Sequence, residues 1–189
     1  MLKNLNTPDK LIQLIANQDR NAFQQLYEMF SEKVYNVAIS YVKNETDAEE
    51  ITQDVFVRIY QNAHKFKGDA AVSTWIYRIT VNVSLNFLKK RKRTSLFKLG
   101  NQTIEQPDFE HPGVLLENQE KAKLLFKVID TLADAQKTAF ILSFVEELPR
   151  QEVANIMEVS LKAVESLLQR AKKNLRNKLE KLYPDQRKK

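Results

Sequence analysis

Cysteine is absent from the 189 residues, and glycine and proline are scarce, at three and five. Without cysteine there is no disulfide framework and no thiolate zinc site, which favours a reducing compartment. So few glycines and prolines disfavour folds rich in tight turns and suit helices with short connections. No apolar run approaches the roughly 20 residues that a membrane helix needs. Residues Met1 to Lys10 do not read as a signal peptide, because they lack an apolar stretch followed by a small-residue cleavage site. The expectation is a soluble, cytoplasmic protein without membrane insertion. Histidine is nearly absent too: His64 and His111 have no carboxylate cluster at ligand spacing beside them. There is no Gly-rich phosphate loop and no nucleophile motif. A metal, a cofactor and catalysis are therefore not expected.

What is present points to helices. Hydrophobic residues make up 43% of the chain, enough for packed cores. The length accommodates one large domain or two small ones. Net charge is +6 and uneven. From Lys162 to Lys189 ten basic residues stand against three acidic ones, so the remainder is close to neutral. A second basic run, Lys89 to Arg93, has no acid near it in sequence, whereas Glu45 to Asp54 holds five acids and no base. Basic patches suit phosphates and the acidic patch does not. A charge run is also the ordinary appearance of a solvated face, so charge alone leaves both readings open.

From Asp19 to Asn44, Phe23, Leu26, Tyr27, Phe30, Val34, Val37, Ala38, Tyr41 and Val42 recur at three- and four-residue steps. They predict an amphipathic helix with Asp19 as its N-cap. Thr46 and Glu49 have capping-box spacing for a second helix, whose stripe is Ala48, Ile51, Val55, Ile59 and Ala63. Lys65 to Val72 breaks the period. Ser73 is a plausible cap for a third helix, running through Trp75, Ile76, Ile79, Val83 and Phe87 into the basic run. Periodicity then disappears from Thr94 to Gly113, which reads as a flexible linker. The second block starts near Val114, with helices to about Leu132, from Asp134 to Val145, from Pro149, and from Ser160 to before Pro184. The expected fold is all-α: two small helical domains, 1–93 and 114–189, joined by a linker at 94–113.

Arg150 to Gln169 fits a helix-turn-helix, with Val153, Ala154 and Met157 facing inward and Val159 closing the turn. The turn position often given to glycine is Glu158, at a strain of about 1 kcal/mol if its backbone is left-handed. On the last helix Val164, Leu167, Leu168, Ala171 and Leu175 share one side. Lys162, Glu165, Ser166, Gln169 and Lys173 share the other, with Arg170 at its margin. That polar side is either a solvated face or a face that reads base edges and holds phosphates. Glu165 would repel phosphate, so it is aimed at a cytosine amino group or paired with Lys162 or Gln169.

Asp47-Ala48-Glu49-Glu50-Ile51-Thr52-Gln53-Asp54-Val55-Phe56 resembles region 2.2 of the extracytoplasmic-function (ECF) sigma factors. Phe66-Lys67-Gly68, then Ser73 to Ile79 and Asn82, resembles regions 2.3 and 2.4. Glu152-Val153-Ala154 with Val164 to Lys172 resembles region 4.2. One departure stands out: the family usually has a Leu-Pro pair before the second helix of region 4, and here Leu132 is followed by Ala133. The resemblance implies a factor that binds core RNA polymerase and promoter DNA, directs strand opening, and is held by an anti-sigma factor. It implies that Asp47, Glu50, Gln53, Asp54 and Val57 dock on the polymerase. An acidic face with an apolar edge agrees with that role. It further implies that Phe66, Lys67, Gly68, Asp69, Arg78, Asn82, Asn86 and Lys89 meet the −10 element. A loop pocket rimmed by polar groups suits an unstacked base. Lys162, Ser166, Gln169, Arg170 and Lys173 would meet the −35 element. Trp75 is open between core packing and base stacking. A plain helix-turn-helix regulator, binding its operator without polymerase, is the rival reading.

Overall fold

The computed structural model describes residues 7–97 and 119–182, and no strand occurs among them. The chain divides into two compact units, Met1–Pro107 and Asp108–Lys189. The expected linker is helical over its first four residues, and 98–113 lie outside the described residues. His111, the helix start near Val114 and the basic tail beyond Leu182 lie outside them as well.

Among the described residues the first unit holds four α-helices: α1 (Pro8–Ala16), α2 (Arg20–Val42), α3 (Glu45–Asn62) and α4 (Val72–Phe97). The sequence reading has no counterpart of α1, a nine-residue helix, although Leu11, Ile12 and Ile15 share one face of it. Pro8 pre-sets its first turn, and Leu11, Ile12 and Ile15 are buried. Helix α2 starts where expected: Asp19 accepts hydrogen bonds from the amides of Asn21 and Ala22, at 2.8 and 3.0 Å.

The start of α3 differs from expectation. Lys43 ends α2 in the left-handed region (φ 54°), which leaves Asn44 extended and in position to cap. Its side chain accepts from the Asp47 amide at 2.8 Å, so Asn44, not Thr46, opens the helix. Likewise α4 begins at Val72, one residue before Ser73, with the Trp75 amide donating to the Ala71 carbonyl, so Ser73 lies inside the first turn and does not cap it.

The stripe Ala48, Ile51, Val55, Ile59 and Ala63 is buried as read, and α2, α3 and α4 pack mutually. Each such Ile stabilises the fold by about 1.5–3 kcal/mol. Ser40, Thr52, Thr80 and Ser84 are buried too, and each donates its hydroxyl to the carbonyl one turn back, so these four hydroxyls are satisfied. Tyr27, read as part of the α2 stripe, is 42% exposed.

The second unit holds α5 (Gln119–Ile129), α6 (Asp134–Phe140), α7 (Arg150–Met157) and α8 (Leu161–Leu182). The expected helix from Asp134 to Val145 is continuous, with its last turn, Ile141–Val145, widened to π geometry. Ala133 precedes it at φ −61°, the value a proline would impose, so the missing Leu-Pro pair leaves the backbone there compatible with one. Lys137 is buried and its ammonium meets Asp130 at 2.6 Å, tying α6 to the end of α5. Between α7 and α8, Glu158 is left-handed (φ 55°, ψ 41°), as the helix-turn-helix reading requires. The Ser160 hydroxyl accepts from the Ala163 amide at 3.2 Å and caps α8. Ile156 is buried where Met157 was expected, Met157 is half-buried, and Val159 is exposed.

Candidate protein and nucleic-acid interfaces

On α3 the core stripe points inward, so Glu50, Gln53, Asp54 and Val57 emerge together on the outer face. Val57 is 52% exposed, an apolar side chain set among acids. Asp47 departs from this group. It is half-buried, and its carboxylate accepts from the Arg91 guanidinium of α4 at 2.9 Å. The basic run Lys89 to Arg93 therefore does have an acid beside it, supplied from 44 residues away. Sequence spacing hides such a pair because only the packing of α3 on α4 creates it.

Aromatic rings extend the acidic face. Phe23 and Tyr27 of α2 meet Phe56 and Tyr60 of α3, the closest centroids 4.6 Å apart. Beside them a groove of about 420 Å³ is lined by Tyr27, Glu32, Tyr35, Glu49 and Gln53, among others. Burial, then the Glu45 and Glu49 carboxylates, push the Tyr35 phenol above its ordinary range. Glu32 and Glu49 line this groove, and carboxylates there would repel phosphate.

The loop before α4 follows a short 3₁₀ turn, Ala63–Lys65. Phe66 is half-buried, with its ring 5.3 Å from that of Trp75. Each ring supports the other at the edge of the core. Lys67, Gly68 and Asp69 are exposed. Gly68 sits at φ +78° with open space where a Cβ would be, so backbone conformation rather than crowding calls for glycine. Along α4, Asn82, Asn86 and Lys89 are exposed on one stripe, and Arg78 is half-buried at its start.

In the second unit Val164, Leu168, Ala171 and Leu175 are buried and Leu167 half-buried, so the opposite side of α8 faces outward. Lys162, Gln169, Arg170 and Lys173 are exposed there. Ser166 is half-buried and donates its hydroxyl to the Lys162 carbonyl at 2.9 Å. A groove of about 460 Å³ runs between α7 and α8, lined by Arg150, Lys162, Glu165, Ser166, Gln169 and Lys172, among others. Arg150 and Lys172, which belong to the motifs read from the sequence, are not among the expected −35 residues, the first because it lies on the other helix. Lys172 also sits over the Phe144 ring at 4.7 Å. Glu165 faces Arg150 at 3.8 Å, a partner not among the two considered from sequence.

Among the described residues no group of three or more His, Cys, Asp or Glu could hold a metal ion. None of their helices is long and apolar enough to cross a membrane.

Residues 26–94 match the family Sigma-70 region 2, and residues 123–175 match Sigma-70, region 4, together more than half of the chain. The chain belongs to the ECF group of sigma-70 factors. It is 29% identical to the ECF RNA polymerase sigma-E factor of Escherichia coli K12 over 185 residues, covering 93% of this chain and 96% of the relative. With the sigma-E factor of Haemophilus influenzae identity is 28% over 188 residues, covering 93% and 97%. Two solved structures share the fold. CnrH, in complex with the cytosolic domain of CnrY, has a TM-score of 0.65 and 20% identity, covering 92% of this chain and 97% of CnrH. RpoE of Bartonella quintana, in complex with the anti-sigma factor NepR, has a TM-score of 0.62 and 19% identity, covering 84% and 96%. The protein is thus a sigma factor that binds core RNA polymerase and recognises promoters. Its family is one of transcription initiation factors.

Proposed function

We propose that the two units divide the work of initiation by the charge of their exposed faces. The observation that carries this reading is that an acidic, apolar-edged face on α3 and a basic face on α8 lie in separate compact units. Residues 1–93 form the polymerase-docking and −10 domain, 94–113 the linker and 114–189 the −35 domain. Glu50, Gln53, Asp54 and Val57 dock on a basic surface of core polymerase, and Asp47 contributes through its pair with Arg91. Phe66, Lys67, Gly68 and Asp69 hold an unstacked −10 base. Arg78, Asn82, Asn86 and Lys89 track the neighbouring strand. Lys162, Ser166, Gln169, Arg170 and Lys173 engage the −35 duplex. Binding energy, not catalysis by this chain, drives strand opening, and the protein works in the cytoplasm. An anti-sigma partner is proposed by analogy with the Bartonella quintana complex.

Run-off transcription with purified core polymerase tests the reading and separates it from a plain helix-turn-helix regulator, which would not support initiation. Asp54→Lys is expected to weaken core binding by about 2 kcal/mol or more. Unchanged binding by a folded variant would remove the acidic face from the interface. Arg170→Ala is expected to cost roughly 1–3 kcal/mol in closed-complex formation, persisting on a template already unpaired at −10. Changing Lys67 and Asp69 is expected to spare the closed complex and impair opening, with rescue on that pre-melted template. Permanganate reactivity of unpaired thymines reads the difference. Equal loss of duplex binding in the loop variant would make the loop a mere connector.

A further inference from the structure

Glu165 is the one acid among the named residues of the α7–α8 groove, where Arg150, Lys162 and Lys172 supply the cations. A carboxylate facing DNA phosphate would be repelled, so its place there needs a reason. A structural brace between α7 and α8 is one candidate, but the geometry is poor for it. The Arg150–Glu165 contact is 3.8 Å long with the side chains 56% and 53% exposed, whereas the Lys137–Asp130 pair of the same unit closes to 2.6 Å with its lysine buried. Charge-assisted hydrogen bonds that hold helices together are short, and long exposed pairs add little. Glu165 is held near a cation yet keeps its oxygens open to the groove.

Its neighbours narrow the chemistry. Ser166 has committed its hydroxyl proton to the Lys162 carbonyl, and Arg150, Lys162 and Lys172 can only donate, which leaves Glu165 as the acceptor-only side chain of the groove, beside Gln169, which both donates and accepts. An ionised carboxylate only accepts hydrogen bonds. In the major groove guanine and thymine offer it only acceptors. Adenine sets its N7 acceptor beside the amino group, and cytosine offers the N4 amino donor alone. We propose that Glu165 selects cytosine at one base pair of the upstream duplex element, with Arg150 positioning the carboxylate and screening it from the backbone. This rests on the reading of α8 as the duplex-reading helix.

The test uses the full chain assembled with core polymerase and a duplex library randomised across the upstream element, with bound sequences read by sequencing. The wild type is expected to enrich cytosine at one position. Glu165→Gln is expected to lower that preference about fivefold or more and move it toward adenine, which suits an amide. The charge-swapped pair Arg150→Glu with Glu165→Arg would preserve a brace but is expected to replace cytosine by guanine at that position. It also serves as the test if the single variant fails to fold. A profile unchanged in both Glu165 variants but altered by Gln169→Ala overturns the role of Glu165 and leaves α8 as the reader. A profile unchanged in all three, or a wild type with no cytosine preference, overturns the proposal, and the former removes α8 from base reading as well.

Discussion

The two units solve the same problem, a charged surface on a small helical core, in different ways. In the first, acid and base sit on different helices, α3 and α4, and are joined where Asp47 meets Arg91 at 2.9 Å. In the second, one helix carries most of it: α8 buries Val164, Leu168, Ala171 and Leu175 on one side and presents Lys162, Gln169, Arg170 and Lys173 on the other. A face confined to one helix follows from a 100° winding, while a face shared by two helices follows from how they pack. The first unit also fills its core with long α2, α3 and α4. The second combines the long α8 with the shorter α5, α6 and α7, a π turn and a Lys137–Asp130 pair whose lysine is buried.

The largest expected effect probes the separateness of the cores. Ile51 is fully buried, so Ile51→Ala is expected to cost about 2–5 kcal/mol. Amide hydrogen exchange should accelerate across α2, α3 and α4 and stay unchanged across α6 to α8. Acceleration spread evenly over both units would merge the two into one cooperative body.

A smaller effect separates the units by pH. Burial pushes the Glu146 carboxyl from 4.5 up to about 7. A raised carboxyl pKa means the folded state favours the neutral acid. Its stabilising contribution is therefore full below about 4.5 and lost as pH rises through about 7. Urea unfolding monitored in the second unit is expected to lose about 1–3 kcal/mol across that window. Glu146→Gln should flatten the slope. An equally steep slope in the variant would assign the dependence to another group.

Turn strain gives a third contrast, since each unit ends a helix on a non-glycine residue in the left-handed region, Lys43 at φ 54° and Glu158 at φ 55°. Glu158→Gly is expected to gain up to about 1 kcal/mol, read as a raised Tm. A lowered Tm would show that contacts of the Glu158 side chain outweigh the strain. The smallest effect concerns Asp47 and Arg91. A double-mutant cycle with alanine at both is expected to give a coupling below about 1 kcal/mol, because the pair is partly exposed. Asp47→Ala should then disturb core binding less than Asp54→Lys. The reverse order would return Asp47 to the docking face.

Much of this was legible in the residues themselves. The 3.6-residue stripes of α2, α3 and α8, the Asp19 cap and the left-handed turn at Glu158 rest on interactions within a few positions of the chain, and local chemistry determines those. The acidic face of α3 and the basic face of α8 followed from the same winding. Tertiary structure alone decided the rest. It buried Leu11, Ile12 and Ile15 of α1 against neighbouring helices. It turned Asp47 toward Arg91, anchored Phe66 on Trp75, and set Arg150 of α7 across the groove from α8. Each of these joins groups on different elements, and side-chain periodicity along one helix carries no information about which face of another helix will lie across from it.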